Sequence, residues 1–178
     1  CFMSNQIIKF HKCLQKVKPT PKLPKKEYLE SGKFPVISQE SSLISGYYND
    51  SDMLFKVDKP VIVFGDHTQV IKYIDFSFIR GADGTKILLP IDEINTKYFY
   101  YFLMLHMPKS KGYARHFKLL KDIDINIPSL KVQEKYVAKL DKYFDNIEKA
   151  ELLASKKIMQ LHSLKKSILS KELKNINL

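Results

Sequence analysis

The chain has 178 residues, 44% of them hydrophobic and 12% aromatic, which is enough to bury a core in one domain with an appendage or in two small units. No run of eighteen apolar residues marks a membrane span, and the first residues lack the apolar core of a signal peptide. The two cysteines, Cys1 and Cys13, are too few for a disulfide framework or a zinc site and favour a cytoplasmic protein.

The formal net charge of +11 comes from the two ends of the chain. Residues 1–33 carry eight Lys and two Glu, and residues 130–178 carry eleven Lys and six acidic residues. Residues 34–129 are balanced, although basic residues crowd between Lys109 and Lys121. Such a charge is typical of a protein that binds nucleic acid or an acidic protein. A Lys-rich surface that only confers solubility is the alternative.

The first segment predicts a short helix over residues 4–17, since Ile7, Ile8 and Phe10 fall near one face. Residues 18–28, KPTPKLPKKEY, contain three prolines and four lysines. This composition excludes a regular helix and indicates an extended, solvated arm.

Short apolar pieces separated by Gly, Asp and Pro follow, and they predict a compact, irregular β unit. The run VIVF at residues 61–64 indicates a buried strand, followed by a tight turn at Gly65-Asp66. Asn95 should cap a helix from Thr96 to about Met107. The other expected extended pieces are residues 34–37, 44–48, 69–73, 75–78, 85–89 and 119–127, with a turn at 81–84.

After Pro128 the chain has no Gly or Pro, and Ser129 can cap a helix from Leu130 to Leu173, roughly 65 Å long. Apolar residues recur there at a period of 3.5, which is typical of a coiled coil and requires a partner. Glu151 and Lys165 interrupt the seam. The expected helix-pairing residues are Val137, Leu140, Phe144, Ile147, Ala154, Ile158, Leu161 and Ile168.

The predicted fold class is therefore α+β. A compact mixed domain with an irregular β-sheet spans residues 1–129, including an N-terminal arm over 1–33. A long coiled-coil helix spans residues 130–178.

Two segments could carry chemistry. Asp66 and His67 directly follow a buried strand, and with Asp75 and Asp83 they could form a metal-dependent endonuclease site. Because no second His or Cys lies at ligand spacing, a structural Asp in the turn is the favoured interpretation. No P-loop, dinucleotide-binding motif or nucleophile elbow is present.

The second segment is KSKGYARHFKLL, residues 109–120. Arg115 could pair with guanine, while Lys109, Lys111 and Lys118 could contact phosphates. A solvated loop whose charges meet only water is an equal alternative.

Four stretches in order carry a resemblance to a known family: FPVISQESSLISGYY, IVFGDHTQVIKYIDFSFIRGADGTKIL, KYFYYFL and INIPSLKVQEKYVAKLD. The chain from about Leu14 to its end resembles the specificity subunit of type I restriction–modification systems. It is most similar to one target recognition domain followed by one conserved long helix, with Pro128 and Gln133 at the head of that helix.

The resemblance implies a non-catalytic subunit that recognises a half-site of a bipartite DNA target and holds modification subunits. Those partners methylate adenine with S-adenosylmethionine, and restriction subunits, which use ATP and Mg²⁺, join the complex. No cofactor is expected on this chain itself. The long helix would be both the spacer between half-sites and the assembly handle.

The family pattern has two recognition domains and two long helices, whereas this sequence has one of each. It is either a half-length subunit that forms a homodimer through the helix or the C-terminal half of a longer chain. Met3-Ser4 resembles a native start and favours the former. A twofold homodimer predicts an interrupted palindrome as the DNA target.

The expected DNA-binding residues are loop positions, and a coiled-coil adaptor that binds only proteins remains an alternative function. The candidates are Gln39, Glu40, Ser41, Tyr47, Tyr48, His67, Thr68, Arg80, Lys109, Lys111, Tyr113, Arg115, His116 and Lys118.

Overall fold

The computed structural model describes residues 6–109, 115–121 and 123–174. Over these residues short strands precede most of the helical structure, so the predicted α+β class is confirmed. The bounds in chain order are β1 Gln6–Lys9, β2 Leu14–Gln15, β3 Phe34–Ile37, β4 Gly46–Tyr48, β5 Leu54–Phe55, β6 Val61–Gly65, β7 Ile71–Ile74, β8 Phe78–Arg80, β9 Thr85–Pro90, α1 Thr96–His106, α2 Phe117–Leu120, β10 Asp124–Ile127 and α3 Leu130–Lys174.

The helix predicted over residues 4–17 is wrong for the described part of that segment. β1 pairs antiparallel with β10, and one 3₁₀ turn, Phe10–Cys13, leads into β2. Ile8 packs on the core while Ile7 faces solvent, as expected for a strand. A helix of this length is marginal by itself, so strand pairing with a distant segment decides the conformation.

The predicted buried strand at residues 61–64 is confirmed as β6, the third strand of a sheet with the order β2-β9-β6-β7. All its residues are buried. Ile62 and Phe64 belong to a core cluster that includes Phe99 of α1, while Val61 and Val63 belong to a second cluster with Phe78 of β8. Because both faces of β6 meet apolar residues, this strand lacks the usual polar alternation.

A second sheet has the order β4-β3-β8-β5. Its central pair, β3 and β8, is parallel, with Val36 opposite Ile79 and Ile37 opposite Arg80. Parallel neighbours end at the same edge of a sheet. The segments that follow β3 and β8 therefore start side by side, although they are far apart in sequence.

The helix predicted from Asn95 is confirmed as α1. The Asn95 side chain accepts hydrogen bonds from the backbone N–H groups of Lys97 (2.9 Å) and Tyr98 (3.0 Å), which caps the helix. Phe99 and Leu103 point into the core. This cap fixes where α1 begins.

Four of the predicted extended pieces are displaced, and the first of them is β4, which begins at Gly46, two residues later than predicted. β7 and β8 begin at Ile71 and Phe78, two and three residues later than predicted. The piece predicted over 119–127 begins instead with α2, and only β10 is extended. The reason is that Leu120 is fully buried as the end of a helical turn.

The long helix predicted from Leu130 is confirmed as α3, and its first turn is held by Gln133. This glutamine is fully buried. Its Nε2 donates to the carbonyl oxygens of Glu93 (2.9 Å) and Pro128 (2.7 Å), and its Oε1 accepts from the N–H of Asn95 (2.7 Å). One polar side chain thus ties the start of α3 to the loop before α1.

The chain divides into two compact units, residues 1–134 and 135–178. In the second unit, residues 135–174 are helical, and most of their apolar side chains are exposed. No helix among the described residues is long and apolar enough to cross a membrane.

Candidate functional site

Three segments meet at one end of the first unit: residues 38–45 after β3, residues 65–70 after β6, and residues 81–85 after β8. We call them together the loop cluster. Gly65 N–H donates to Val70 O (2.8 Å), which closes the second segment, and Asp66 N–H donates to Gly84 O (2.8 Å), which joins it to the third. The cluster brings together several of the predicted DNA-binding residues that the sequence separates.

Gln39 lies at the centre of the loop cluster. Its side-chain Oε1 accepts from the N–H of His67 (3.2 Å), and its carbonyl oxygen accepts from the hydroxyl of Thr68 (2.7 Å). Three of the predicted residues are therefore mutual partners. Their contacts order the segment after β6 against the segment after β3.

Gly84 is required by two features of the cluster. Its φ of +70° lies in the left-handed region that favours glycine. A Cβ at this position would also lie 2.7 Å from Oε1 of Gln39 and 2.7 Å from Cδ2 of His67. Any side chain here would displace the Gln39–His67 contact.

Arg80, the last residue of β8, stabilises the third segment of the loop cluster through hydrogen bonds. Its Nε donates to the carbonyl oxygen of Thr85 (2.9 Å), and its Nη2 donates to the same oxygen. Burial lowers the pKa of Arg80 from its usual value. Arg80 is only partly accessible, and its Nε and Nη2 connect the end of β8 to the start of β9.

Lys72 contacts the loop cluster although it was not among the predicted site residues. It lies on β7 and is only 5% exposed. Its Nζ donates to the carbonyl oxygens of Ser38 (2.8 Å), Ser42 (2.5 Å) and Leu43 (3.4 Å). Burial lowers its pKa to about 8, and the negative charge of Glu40 acts in the opposite direction. A buried ammonium group thus sits under the segment that follows β3.

The rim of the cluster is polar and aromatic. Glu40 forms an exposed ion pair with Lys25 (2.5 Å), and the Tyr28 hydroxyl donates to Ala82 O (3.3 Å). Burial, followed by the charge of Glu40, raises the pKa of Tyr28. Tyr47 and Tyr48 lie on the neighbouring β4 and are half-buried, and Ser41 is exposed.

Asp66 has a structural role, which supports the interpretation favoured for the Asp66-His67 pair. Its Oδ1 accepts from the N–H of Phe117 (2.9 Å), and Oδ2 lies 3.7 Å from the Lys86 ammonium. Its carbonyl oxygen accepts from the N–H of His116 (2.9 Å). Among the residues described, no group of three or more His, Cys, Asp or Glu side chains is arranged to hold a metal ion.

The structure separates the candidates in the basic segment. Lys109, Arg115 and Lys118 are exposed. His116 is fully buried, with Nδ1 3.1 Å from the carbonyl oxygen of Asp66. Contact between this ring and DNA would require the segment to open, so His116 is better explained as a structural residue. The remaining candidates, Lys111 and Tyr113, lie outside the described residues.

The helix-pairing candidates lie on α3 in two groups. Val137 and Leu140 are half-buried. The other six, Phe144, Ile147, Ala154, Ile158, Leu161 and Ile168, are exposed in the single chain. Exposed apolar residues at a period of 3.5 are available to a second helix.

Sequence reasoning missed Lys72, Tyr28 and Lys25. Lys72 offered one usable signal. In IKYI, residues 71–74, Lys72 and Ile74 share one face of a strand, and that face is the buried one. A lysine at an inward strand position implies buried carbonyl or carboxylate partners. The partners themselves lie about thirty residues away in sequence, and no local pattern identifies them.

The chain matches the family model described as the type I restriction modification DNA specificity domain over residues 13–156. It is also 31% identical, over 140 residues, to the specificity subunit of the type I restriction enzyme EcoR124I/EcoR124II of Escherichia coli. The match covers 70% of this chain and 34% of that protein. The chain thus spans about a third of the length of this curated relative.

Solved structures with the same fold support the architecture. One, from work on complex assembly and conformational transition of the type I R-M system, has a TM-score of 0.69 at 17% identity and covers 93% of this chain and 45% of the other. The S subunit from M. genitalium gives 0.56 at 23% identity, covering 81% and 41%. The HsdS subunit from Thermoanaerobacter tengcongensis gives 0.55 at 14% identity, covering 80% and 38%.

Proposed function

Because the chain belongs to the family of type I restriction–modification DNA specificity domains, we propose that it is a DNA-recognition subunit. It binds one half-site of a bipartite DNA target and is itself non-catalytic. Residues 1–129 form the target recognition domain, and residues 130–178 form the spacer and pairing helix. The observation that carries the proposal is the family match over residues 13–156, which includes the whole loop cluster and the first half of α3.

The partners follow from the same family membership. The chain holds methyltransferase subunits that modify adenine with S-adenosylmethionine, and restriction subunits that use ATP and Mg²⁺ join them. Two copies pair through α3 in an antiparallel arrangement. The exposed apolar residues of the helix support this pairing, because a single helix leaves them in water.

Within the domain, the loop cluster reads bases and the basic segment contacts phosphates. Exposed or partly exposed polar side chains at the cluster suit base-edge hydrogen bonds, with Gln39, Glu40, Ser41 and Thr68 as the first candidates. Exposed Lys109, Arg115 and Lys118 suit phosphate contacts. Phosphate contacts position the protein, and base contacts provide the specificity.

The test is co-expression with a type I methyltransferase subunit from the same genome, followed by single-molecule sequencing of host DNA for N6-methyladenine. A methylated interrupted palindrome that depends on this chain is the expected result, since a twofold dimer presents two identical domains. A non-palindromic bipartite motif would overturn the homodimer while retaining DNA recognition. If no new methylation appeared with an active methyltransferase, the recognition function would be wrong.

Binding of the purified chain to duplex DNA separates recognition from the alternative functions. With six or more phosphate contacts, affinity should fall roughly a thousandfold between about 50 and 200 mM salt. Salt-insensitive or absent binding would favour the protein adaptor. Cleavage of the DNA by the chain alone with Mg²⁺ or Mn²⁺, lost in His67→Ala, would favour the endonuclease.

A further inference from the structure

Residues 38–45 combine polar recognition candidates with exposed apolar residues on one loop. Gln39, Glu40 and Ser41 occupy its first half, and Leu43 and Ile44 are 52% and 36% exposed in its second half. A segment of this kind, without strand pairing over most of its length, ordinarily samples several conformations. Base readout requires one conformation, because each hydrogen bond must meet a fixed base edge.

The loop is closed at its base by one contact between its own ends and by one contact to β3. The hydroxyl groups of Ser38 and Ser45 are 2.7 Å apart, and the N–H of Ser45 donates to Val36 O (2.9 Å). These contacts fix where the loop begins and ends. Between the two ends, Gln39 contacts His67 and Thr68, and Glu40 contacts Lys25. These contacts do not reach Ser42 and Leu43 in the second half of the loop.

Lys72 supplies the missing constraint from β7. Its ammonium group contacts one carbonyl at the start of the loop, Ser38 O, and two in the second half, Ser42 O and Leu43 O. The three N–H donors of a lysine match three carbonyl acceptors. Because these bonds are buried and charge-assisted, they are stronger than bonds between neutral groups.

We propose that Lys72 is a positioning residue for DNA specificity, which holds residues 38–45 in the conformation that presents the recognition side chains. Lys72 does not contact DNA. The inference rests on the proposed function for its final step only, since the ordering of the loop is a property of the free protein. Loss of Lys72 therefore changes which base pairs are preferred, while contacts to phosphate are retained.

The first experiment is hydrogen–deuterium exchange of the full chain without DNA. Lys72→Met keeps the length of the side chain and removes its charge and donors. Exchange of the amides of residues 39–45 should accelerate at least about tenfold, while β6 stays protected. Lys56→Met removes an equal charge from an exposed site of the same unit and should leave exchange of the loop unchanged. Unchanged exchange in Lys72→Met would overturn the proposal.

The second experiment measures specificity by sequencing the duplexes that the full chain retains from a random-sequence DNA pool. Lys72→Met should broaden the selected half-site, with affinity for the unselected pool within about threefold of the wild type. Lys72→Arg, which keeps the charge and donors, should retain more of the wild-type preference. An unchanged selected sequence in Lys72→Met would refute positioning.

Two further outcomes keep the proposals distinguishable. If Lys72→Met does not fold, Lys72→Gln is compared with Lys72→Arg in the same assays, and equal loop exchange in these two variants would refute the proposal. If the wild type itself selects no sequence while Lys72→Met still loosens the loop, DNA recognition by this chain is wrong and the ordering role of Lys72 stands.

Discussion

Replacement of the buried Gln133 tests how the start of α3 is attached to the first unit. Gln133→Met keeps the length of the side chain and removes three hydrogen bonds, to Asn95, Glu93 and Pro128. A net contribution of about 1 kcal/mol per bond gives a loss of about 3 kcal/mol in the free energy of unfolding. For a chain of this size each kcal/mol lowers Tm by roughly 2–4 °C, so the expected decrease is roughly 6–12 °C.

The assay is urea unfolding followed by tyrosine fluorescence, since tyrosines are distributed through the first unit and tryptophan is absent. Gln160→Met is the matched control, because Gln160 is exposed on the same helix. Its effect should stay within about 0.5 kcal/mol. Equal stabilities of the two variants would show that the buried bonds make no net contribution, and the reasoning would fail.

Four further predictions concern the cluster, the helix and the basic segment. Gly84→Ala should broaden or abolish sequence selection, because a Cβ would strain a positive φ and displace Gln39; an unchanged selected motif would contradict this. Because the pKa of Lys72 is lowered to about 8, the unfolded chain binds more protons above that pH. The free energy of unfolding of the wild type relative to Lys72→Met should therefore rise between about pH 8 and 10, by at most about 1.4 kcal/mol per pH unit in urea titrations; a fall would show the opposite linkage. Leu161→Lys should convert a dimer to a monomer in light scattering, whereas Gln160→Lys should leave the dimer intact. If both variants remained equally dimeric, Leu161 would not be part of the helix-pairing interface. Lys118→Ala should reduce the salt dependence of DNA binding by about one phosphate contact and leave the selected sequence unchanged. A changed selected sequence would mean that Lys118 contacts a base.

Elements whose signal is local were predictable from the sequence. Asn95 caps α1 because its side chain reaches only the next turn, and Val61 to Phe64 form a strand because a short β-branched run between Pro and Gly has few alternatives. The absence of Gly and Pro after Pro128 together with the apolar period of 3.5 was sufficient to predict α3. The family resemblance likewise depends on the order of motifs along the chain.

Elements that depend on distant partners were not predictable. β1 is a strand because β10, more than a hundred residues later, supplies its hydrogen bonds, whereas its own apolar spacing also suits a helix. His116 looked like a DNA contact from its basic neighbours, and only the fold places it under Asp66.

The loop cluster shows the same division. The residue types at these turns can be read from the sequence: Gln39, His67 and Thr68, with a glycine at position 84, where φ is positive. That they meet follows from the fold. The parallel pairing of β3 with β8 starts their following loops side by side, and the Asp66 N–H, which donates to Gly84 O, joins the segment after β6 to them. The tertiary structure also placed Lys72 beneath those loops, since the free energy of burying a charge is recovered only when carbonyl groups from elsewhere in the chain surround it.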